Sequence, residues 1–317
     1  MLIRTEINRS EEVKACLIIP TYNGGEVWKK SANNIALYSK IQPHDVYVID
    51  SESKDDTVQV AKAHGFNVKI IEGASFNHGG TRNQAITDNG VVYDVAILIT
   101  QDAIPLDGFV NKILSAFEDP LVACAYGRQL PHENANSIAQ HARFFNYPAK
   151  SVVNTKENIP EYGIKTAFTS NSFCAYRVSI FNLLGGFPDN TILSEDMYYA
   201  AKAINAGYKV AYVSEAQVMH SHNYSPIEEF KRYFDIGVFH ATENWIKKDF
   251  GGAGGEGKKF IISEIKYLLQ KNLTLIPKAC VNNFMKILGY KLGQNYKLLP
   301  KNAVKKFSMH KKFWNKY

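Results

Sequence analysis

Asp94-Val95-Ala96-Ile97-Leu98-Ile99-Thr100-Gln101-Asp102-Ala103 is a run of apolar, largely β-branched residues that stops at a single carboxylate. A run of this length and composition reads as a buried strand of a parallel sheet. Open α/β sheets bind ligands beyond the carboxyl ends of their strands. Asp102 therefore stands where such a sheet presents its chemistry, or else it only starts the turn before Ile104-Pro105. The flanking sequence decides between these readings.

Upstream, a strand over 15–19 ends in Pro20-Thr21-Tyr22-Asn23-Gly24-Gly25, whose Asn and glycines permit a tight turn before a helix over 27–41. A strand over 46–49 runs into Asp50-Ser51-Glu52-Ser53-Lys54-Asp55-Asp56-Thr57. Ser53 is the expected N-cap of the next helix, with Asp55 and Asp56 complementing its dipole. A strand over 68–71 is followed by Ser75-Phe76-Asn77-His78-Gly79-Gly80-Thr81-Arg82-Asn83 and a helix to about residue 89. Strands alternating with helices predict an α/β protein with βαβ units and right-handed crossovers. Each strand end carries a polar cluster: Thr21, Tyr22 and Asn23, then Asp50, then Asp102.

Downstream, a helix over 107–118 and a strand over 121–126 are expected, then a loop-rich insertion over 130–165 and an extended stretch over 167–176. Ser194-Glu195-Asp196 reads as an N-cap with acids in the first turn of a helix to residue 205. Short strands over 210–213 and 218–219 lead to His220-Ser221-His222-Asn223-Tyr224, and an amphipathic helix is expected over 226–248. The stretch 251–257 holds five glycines in seven residues and no phosphate-loop Lys-Ser/Thr, which predicts a flexible hinge or lid.

The 317 residues carry a net charge of +7. Residues 258–317 hold 14 Lys and one acid, Glu264, a net of +13, so the body over 1–257 carries −6. Such a tail suits a polyanionic partner. Its ending, Lys305-Lys306-Phe307-Ser308-Met309-His310-Lys311-Lys312-Phe313-Trp314, mixes charge for anionic headgroups with rings for a membrane interface. No apolar run approaches the roughly 18–20 residues that span a bilayer, and the N-terminus lacks the apolar core of a signal peptide. Cys16, Cys124, Cys174 and Cys280 are scattered and read as small buried hydrophobes in a reducing compartment. A cytoplasmic protein is expected.

Asp102 at a strand end, an acid at a helix start and a late His would together form a hard-cation site beside a general base. Mg²⁺ or Mn²⁺ binds through one or two protein groups plus substrate phosphates. Such an ion neutralises a diphosphate leaving group while a carboxylate deprotonates an incoming hydroxyl.

These blocks together resemble the inverting glycosyltransferases of family 2, which have the GT-A fold: Ile18-Ile19-Pro20-Thr21-Tyr22-Asn23, Val48-Ile49-Asp50-Ser51 with Asp55-Asp56-Thr57, Asp102, and Ser194-Glu195-Asp196. Phe76-Asn77-His78-Gly79-Gly80-Thr81-Arg82-Asn83 is similar to a block of bacterial rhamnosyltransferases, and His220-Ser221-His222-Asn223-Tyr224-Ser225 and Ser308-Met309-His310-Lys311 fit that subgroup. The resemblance implies a Rossmann-like, mostly parallel sheet flanked by helices. A catalytic domain would span 1–250, with a nucleotide-binding half over about 1–128 and an acceptor half over about 129–250. A glycine-rich hinge and basic, helical, membrane-proximal extension would span 251–317.

The resemblance also implies roles. Pro20, Thr21, Tyr22, Asn23, Asp50, Ser51, His78, Arg82 and Gln101 would bind the nucleotide-sugar, with Tyr22 flanking the base and Asp50 bonding its edge or the ribose. Asp102 and His222 would hold Mg²⁺ or Mn²⁺. Asp196 would be the catalytic base and Glu195 would orient hydroxyls. The implied donor is dTDP-L-rhamnose. The implied acceptor is a lipid-diphosphate-linked oligosaccharide of a bacterial surface polysaccharide, such as O-antigen or capsule, met at the cytoplasmic face of the inner membrane. The family's metal motif is Asp-x-Asp, and Gln101-Asp102-Ala103 keeps one carboxylate of it. A UDP-hexose or UDP-N-acetylhexosamine donor is the nearer alternative, and a non-catalytic binder of sugar nucleotides or nucleic acid the more distant one. The acidic pair at 195–196 argues against the former binder. Basic residues confined to the tail, with no nucleic-acid motif beside them, argue against the latter.

Overall fold

The computed structural model describes residues 13–89, 92–252 and 254–316. Among the described residues, nine strands form one sheet: β1 (Ala15–Thr21), β2 (Val46–Asp50), β3 (Asn67–Ile70), β4 (Val95–Ile99), β5 (Ile104–Pro105), β6 (Val122–Leu130), β7 (Val152–Asn154), β8 (Phe173–Arg177) and β9 (Lys209–Met219). Their order is β3-β2-β1-β4-β8-β6-β9-β5, and β7 pairs with β9 as well. β3, β2, β1 and β4 are mutually parallel, as the alternation of strands and helices predicts. β8 runs antiparallel to both β4 and β6, and β6 is parallel to β9. The sheet is therefore mixed rather than mostly parallel.

β4 is buried at every residue because β1 and β8 cover its edges and a core lies on each face. Ala96 and Leu98 join one apolar cluster, while Val95, Ile97 and Ile99 join the other, as the two-residue period of a strand requires. Each fully buried Val, Ile or Leu contributes roughly 1.5–3 kcal/mol. The second cluster is closed by Trp28, Ala32 and Ile35 of the helix Gly25–Tyr38, and the Trp28 indole N–H donates to the Thr57 carbonyl at 3.0 Å. The first cluster is closed by the helices Glu195–Asn205 and Pro226–Thr242.

Several local expectations change. Ser53 does not cap a helix: the helix starts at Thr57, and the Ser53 hydroxyl donates to Asp50 Oδ2 at 2.6 Å. Ser194 makes no side-chain cap and sits at φ 61°. The expected loop over 130–165 contains the helix Ser137–Asn146, whose Asn136 side chain accepts from Ala139 N–H at 3.0 Å. Cys280 is exposed, unlike the three other cysteines.

The glycine-rich stretch is not the expected flexible break, since the helix Gly254–Lys271 starts inside it. Glu256 in its first turn pairs with Lys165 of the body and with Lys259. The helix Ile276–Gln294 then packs across Pro226–Thr242 at backbone contact distance. A Cβ on Gly293 would lie 2.0 Å from the Phe234 carbonyl oxygen, so only glycine allows this approach. Further on, Val304 is buried, and Phe307, Phe313 and Trp314 pack against the first core cluster. The terminal rings expected to meet a membrane point instead into the protein. Exposed apolar residues of the extension lie elsewhere, at Val281, Phe284 and Ile287 on the helix Ile276–Gln294 and at Ile262 and Leu269 on the preceding helix.

Candidate active site

The carboxyl ends of β1, β2, β4, β6 and β9 and the start of β8 meet at one edge of the sheet, because Ile99 pairs with Phe173 and Leu130 with Met219. Beyond β1 and β2, the Thr21 hydroxyl donates to Asp50 Oδ2 at 2.8 Å and the Ser53 N–H to Asp50 Oδ1 at 2.8 Å. Asp50 is fully buried and committed to these groups. It braces the pocket wall where direct contact with a base or ribose was expected. Asn23 also serves the loop, its N–H donating to Ser53 Oγ and its Oδ1 accepting from Lys54 N–H, each at 2.8 Å.

A cavity of about 340 Å³ opens above this wall, lined by Pro20, Thr21, Tyr22, Ser51, Arg82, Gln101 and Asp102 among others. Seven sequence-derived residues thus come together. Gln101 fixes the rim, its Oε1 accepting from Tyr22 N–H at 2.8 Å and its Nε2 donating to the Tyr22 carbonyl at 3.1 Å. Tyr22 itself is 57% exposed, with its ring free to flank a planar ligand.

Asp102 lies in the turn after β4, closed by Ala103 N–H to the Thr100 carbonyl at 3.0 Å. Its Oδ2 is 3.4 Å from His220 Nε2 and 3.5 Å from His222 Nε2, and one donor atom from each residue lies within 4.8 Å of the others. His220 Nδ1 is 2.8 Å from Gln129 Oε1, an atom that can only accept. The Nδ1 position therefore carries the proton and the Nε2 lone pair faces Asp102. Two acceptors face to face need a cation between them, so this donor set fits a divalent metal. Burial pushes His222 down to about 4, which keeps its imidazole neutral as a ligand must be. His220 was absent from the expected ligand pair. Its place two residues before His222 on an extended chain was the available signal.

The acidic pair stands across the same edge. The Asn171 N–H donates to Asp196 Oδ2 at 2.9 Å, and the Met197 N–H donates to Asp196 Oδ1 at 2.8 Å. The Asn171 side-chain amide donates to Glu195 Oε1 at 2.8 Å, and Arg82 Nη1 lies 3.3 Å from that same oxygen. Burial, reinforced by the Glu195 charge, pushes Asp196 up to about 7. Burial also acts to raise Glu195, but Arg82 and then His78 overcome it and hold Glu195 below its ordinary value. Two adjacent carboxylates thus separate into a permanent anion and a group poised near neutrality. Asp196 lines a second cavity, of about 570 Å³, together with Asp102, His78, His220 and His222. His78 therefore faces this cavity rather than the nucleotide pocket. The glycine after it is dictated by sterics, since a Cβ on Gly79 would lie 1.9 Å from the Pro188 carbonyl oxygen.

The C-terminal segment completes both cavities. Asp235 Oδ2 accepts from Met309 N–H at 2.8 Å and His310 N–H at 3.1 Å. His310 then lies 3.4 Å from His78, and Lys312 reaches the Gly73 carbonyl at 3.2 Å on the wall of the nucleotide pocket. Lys312, Asn171 and Asp235 escaped sequence reasoning because their partners lie 25 to 239 positions away in the chain.

Residues 16–185 match the family model described as glycosyl transferase family 2. The chain is 52% identical over 305 residues to the O-antigen chain rhamnosyltransferase RfbN of Salmonella typhimurium, covering 96% of each protein. It is 50% identical over 305 residues to the O-antigen chain rhamnosyltransferase WbaN of Salmonella anatum, covering 94% of this chain and 95% of that one. Among solved structures, it resembles the mannosyltransferase PcManGT from Pyrobaculum calidifontis in complex with GDP-Man and Mn²⁺ (TM-score 0.54, 15% identity, 96% of this chain and 86% of that one). It also resembles S. aureus TarS 1-349 in complex with UDP-GlcNAc (TM-score 0.54, 16% identity, 93% and 84%). At such identity these structures speak for the fold alone, a GT-A glycosyltransferase fold. With more than half of the chain matched and two relatives at half identity or above over nearly its full length, the chain belongs to glycosyl transferase family 2.

Proposed function

We propose that the protein transfers L-rhamnose from dTDP-L-rhamnose to a lipid-diphosphate-linked acceptor during O-antigen synthesis, with inversion at the anomeric carbon. The naming of both half-identical relatives as O-antigen chain rhamnosyltransferases supports the sugar and the polymer. The single observation that carries the mechanism is Asp196, fixed by two backbone N–H groups and pushed up to about 7, on the wall of a cavity shared with the Asp102, His220 and His222 cluster.

In this reading the donor's base lies beside Tyr22 over the Thr21–Asp50 wall. Asp102, His220 and His222 would hold Mn²⁺ or Mg²⁺, which would supply charge neutralisation for a departing diphosphate. Imidazole ligands favour Mn²⁺ over the harder Mg²⁺. Asp196 takes the proton of the acceptor hydroxyl as that oxygen bonds to C1 and the C1–O bond to the diphosphate breaks. Arg82 and Glu195 keep the wall between donor and base rigid, so that Asp196 remains the one poised acid–base group of the pair. The lipid-linked acceptor places the protein peripherally at the cytoplasmic face of the inner membrane. The lysine-rich extension and its exposed Val281, Phe284 and Ile287 supply the surface for this contact.

The test is a donor panel with the full-length protein and Mn²⁺, read by product mass. A deoxyhexose added from dTDP-L-rhamnose, and no transfer from UDP-galactose or UDP-N-acetylglucosamine, is the expected result. Transfer of a hexose or N-acetylhexosamine instead would overturn the donor assignment.

A further inference from the structure

The larger cavity contains more positive charge than the mechanism uses. Arg143, on the helix Ser137–Asn146, and Arg232, on the helix Pro226–Thr242, both line it beside Asp196 and His222. Among the described residues, neither guanidinium is ion-paired with a carboxylate. Glu229 is close to both, but its Oε1 is 3.3 Å from Lys286 Nζ, a pairing that spends its charge. Arg143 donates from Nη1 to Gln129 Oε1, and its buried Nε has no partner. Burial, reinforced by the Arg232 charge, lowers Arg143 below its ordinary value, while Tyr224, Tyr233 and Glu229 outweigh burial at Arg232 and keep it charged. Two like charges at a cavity wall, one with an orphaned buried donor, are costly unless an anion joins them.

We infer that Arg143 and Arg232 form a subsite for a phosphate or diphosphate group in the cavity that holds Asp196. Planar, multidentate guanidinium groups suit phosphate oxygens better than they suit neutral sugar hydroxyls. The cavity also holds Tyr224, whose hydroxyl extends the set of donors. The subsite deepens the proposed function and rests on it for the source of the phosphate: the diphosphate of a lipid-linked acceptor is one source, the donor's diphosphate the other. Arg232 issues from the helix that packs on Ile276–Gln294, whose Asn282 and Lys286 face the same cavity while Phe284 and Ile287 are exposed. An acceptor carried on a lipid would thus reach the arginines along the extension.

The experiment is calorimetric titration of the full-length protein with inorganic pyrophosphate in EDTA, so that no metal bridges the probe. It is run with and without a saturating amount of the preferred donor's nucleoside diphosphate. The wild type should bind one pyrophosphate, and Arg232→Gln and Arg143→Gln should each weaken that binding at least about tenfold. Arg232→Lys should recover part of it. Pyrophosphate binding that persists with the nucleotide bound assigns the subsite to the acceptor, and loss through competition assigns it to the donor. Unchanged affinity in a folded Arg232→Gln variant, checked by its melting temperature, overturns the subsite. No turnover is read, so failure of the donor panel and failure of this test remain separate outcomes.

Discussion

Arg82 Nη1 stands 3.3 Å from Glu195 Oε1, joining the helix that opens the nucleotide pocket to the helix that carries the acidic pair. Both side chains are about 93% buried, so the pair is shielded from solvent and salt. This contact occupies the carboxylate that sequence alone would have given to a substrate hydroxyl. It also has an electrostatic consequence for its neighbour, since the Glu195 charge helps to raise Asp196.

That coupling predicts a pH profile. With Asp196 as base and pushed up to about 7, kcat/KM should rise with pH through about 7 and level off above it, because only the ionised carboxylate accepts a proton. Glu195→Gln removes the neighbouring negative charge and frees the positive charge of Arg82. Both changes lower Asp196, so the rising limb should move to lower pH. A limb that stays in place or moves upward contradicts the coupling.

Metal removal should abolish turnover, and Mn²⁺ should restore it at lower concentration than Mg²⁺. His222→Ala and His220→Ala should each raise the half-saturating Mn²⁺ concentration at least about tenfold. Gln129→Leu, which frees His220 Nδ1, should cost about 10–100-fold in metal affinity. Direct binding of Mn²⁺ followed by electron paramagnetic resonance separates affinity from turnover. Equal affinity in the wild type and both His variants would remove the cluster from the account.

The C-terminal segment makes a different prediction. Lys312→Ala should raise the donor KM about tenfold with little change in kcat, because Lys312 lines the nucleotide pocket beyond the reacting atoms. Asp235→Ala, which releases the backbone of Met309 and His310, should do the same through loss of position. The double variant should then be no worse than the more severe single one, since residues acting as one unit do not add. Additive effects would mean that Asp235 and Lys312 act separately.

Phe284→Glu combined with Ile287→Glu alters exposed positions only. Binding to vesicles of anionic phospholipid should fall at least about tenfold, and the wild type should bind more weakly as salt rises. Turnover of a soluble acceptor should be unchanged. Wild-type-like vesicle binding by this variant would move the membrane contact to another face.

Half of the fold was legible because local pattern and tertiary structure agree there. β1, β2 and β4 are largely buried runs ended by polar turns, and Asp102 falls beyond β4 as a strand-end carboxylate should. The antiparallel β8 was hidden, since 173–177 reads equally well in either direction and only its partners β4 and β6 fix the choice. The glycine-rich start of Gly254–Lys271 misled because intrinsic propensity argued against a helix that Glu256 and its lysine partners anchor. At the site, Asp102 and the 195–196 pair stood out as a strand-end acid and helix-start acids, and Arg82 stood out through the resemblance alone. Asn171 and Lys312 were not legible, since Asn171 acts on the carboxylates of Glu195 and Asp196 and Lys312 on the Gly73 carbonyl, all remote in sequence. Asp50 was readable as important, but its burial under Thr21 and Ser53 appears only in three dimensions.

The central claim is that Asp196 is the base. Its most direct test compares Asp196→Asn with the wild type in donor binding by calorimetry and in turnover with saturating substrates. Asn keeps the size of the side chain and one of the two oxygens that accept from Asn171 N–H and Met197 N–H, so donor affinity should stay within about threefold while kcat falls at least a hundredfold. Turnover within about threefold of the wild type, with donor affinity unchanged, would contradict the account.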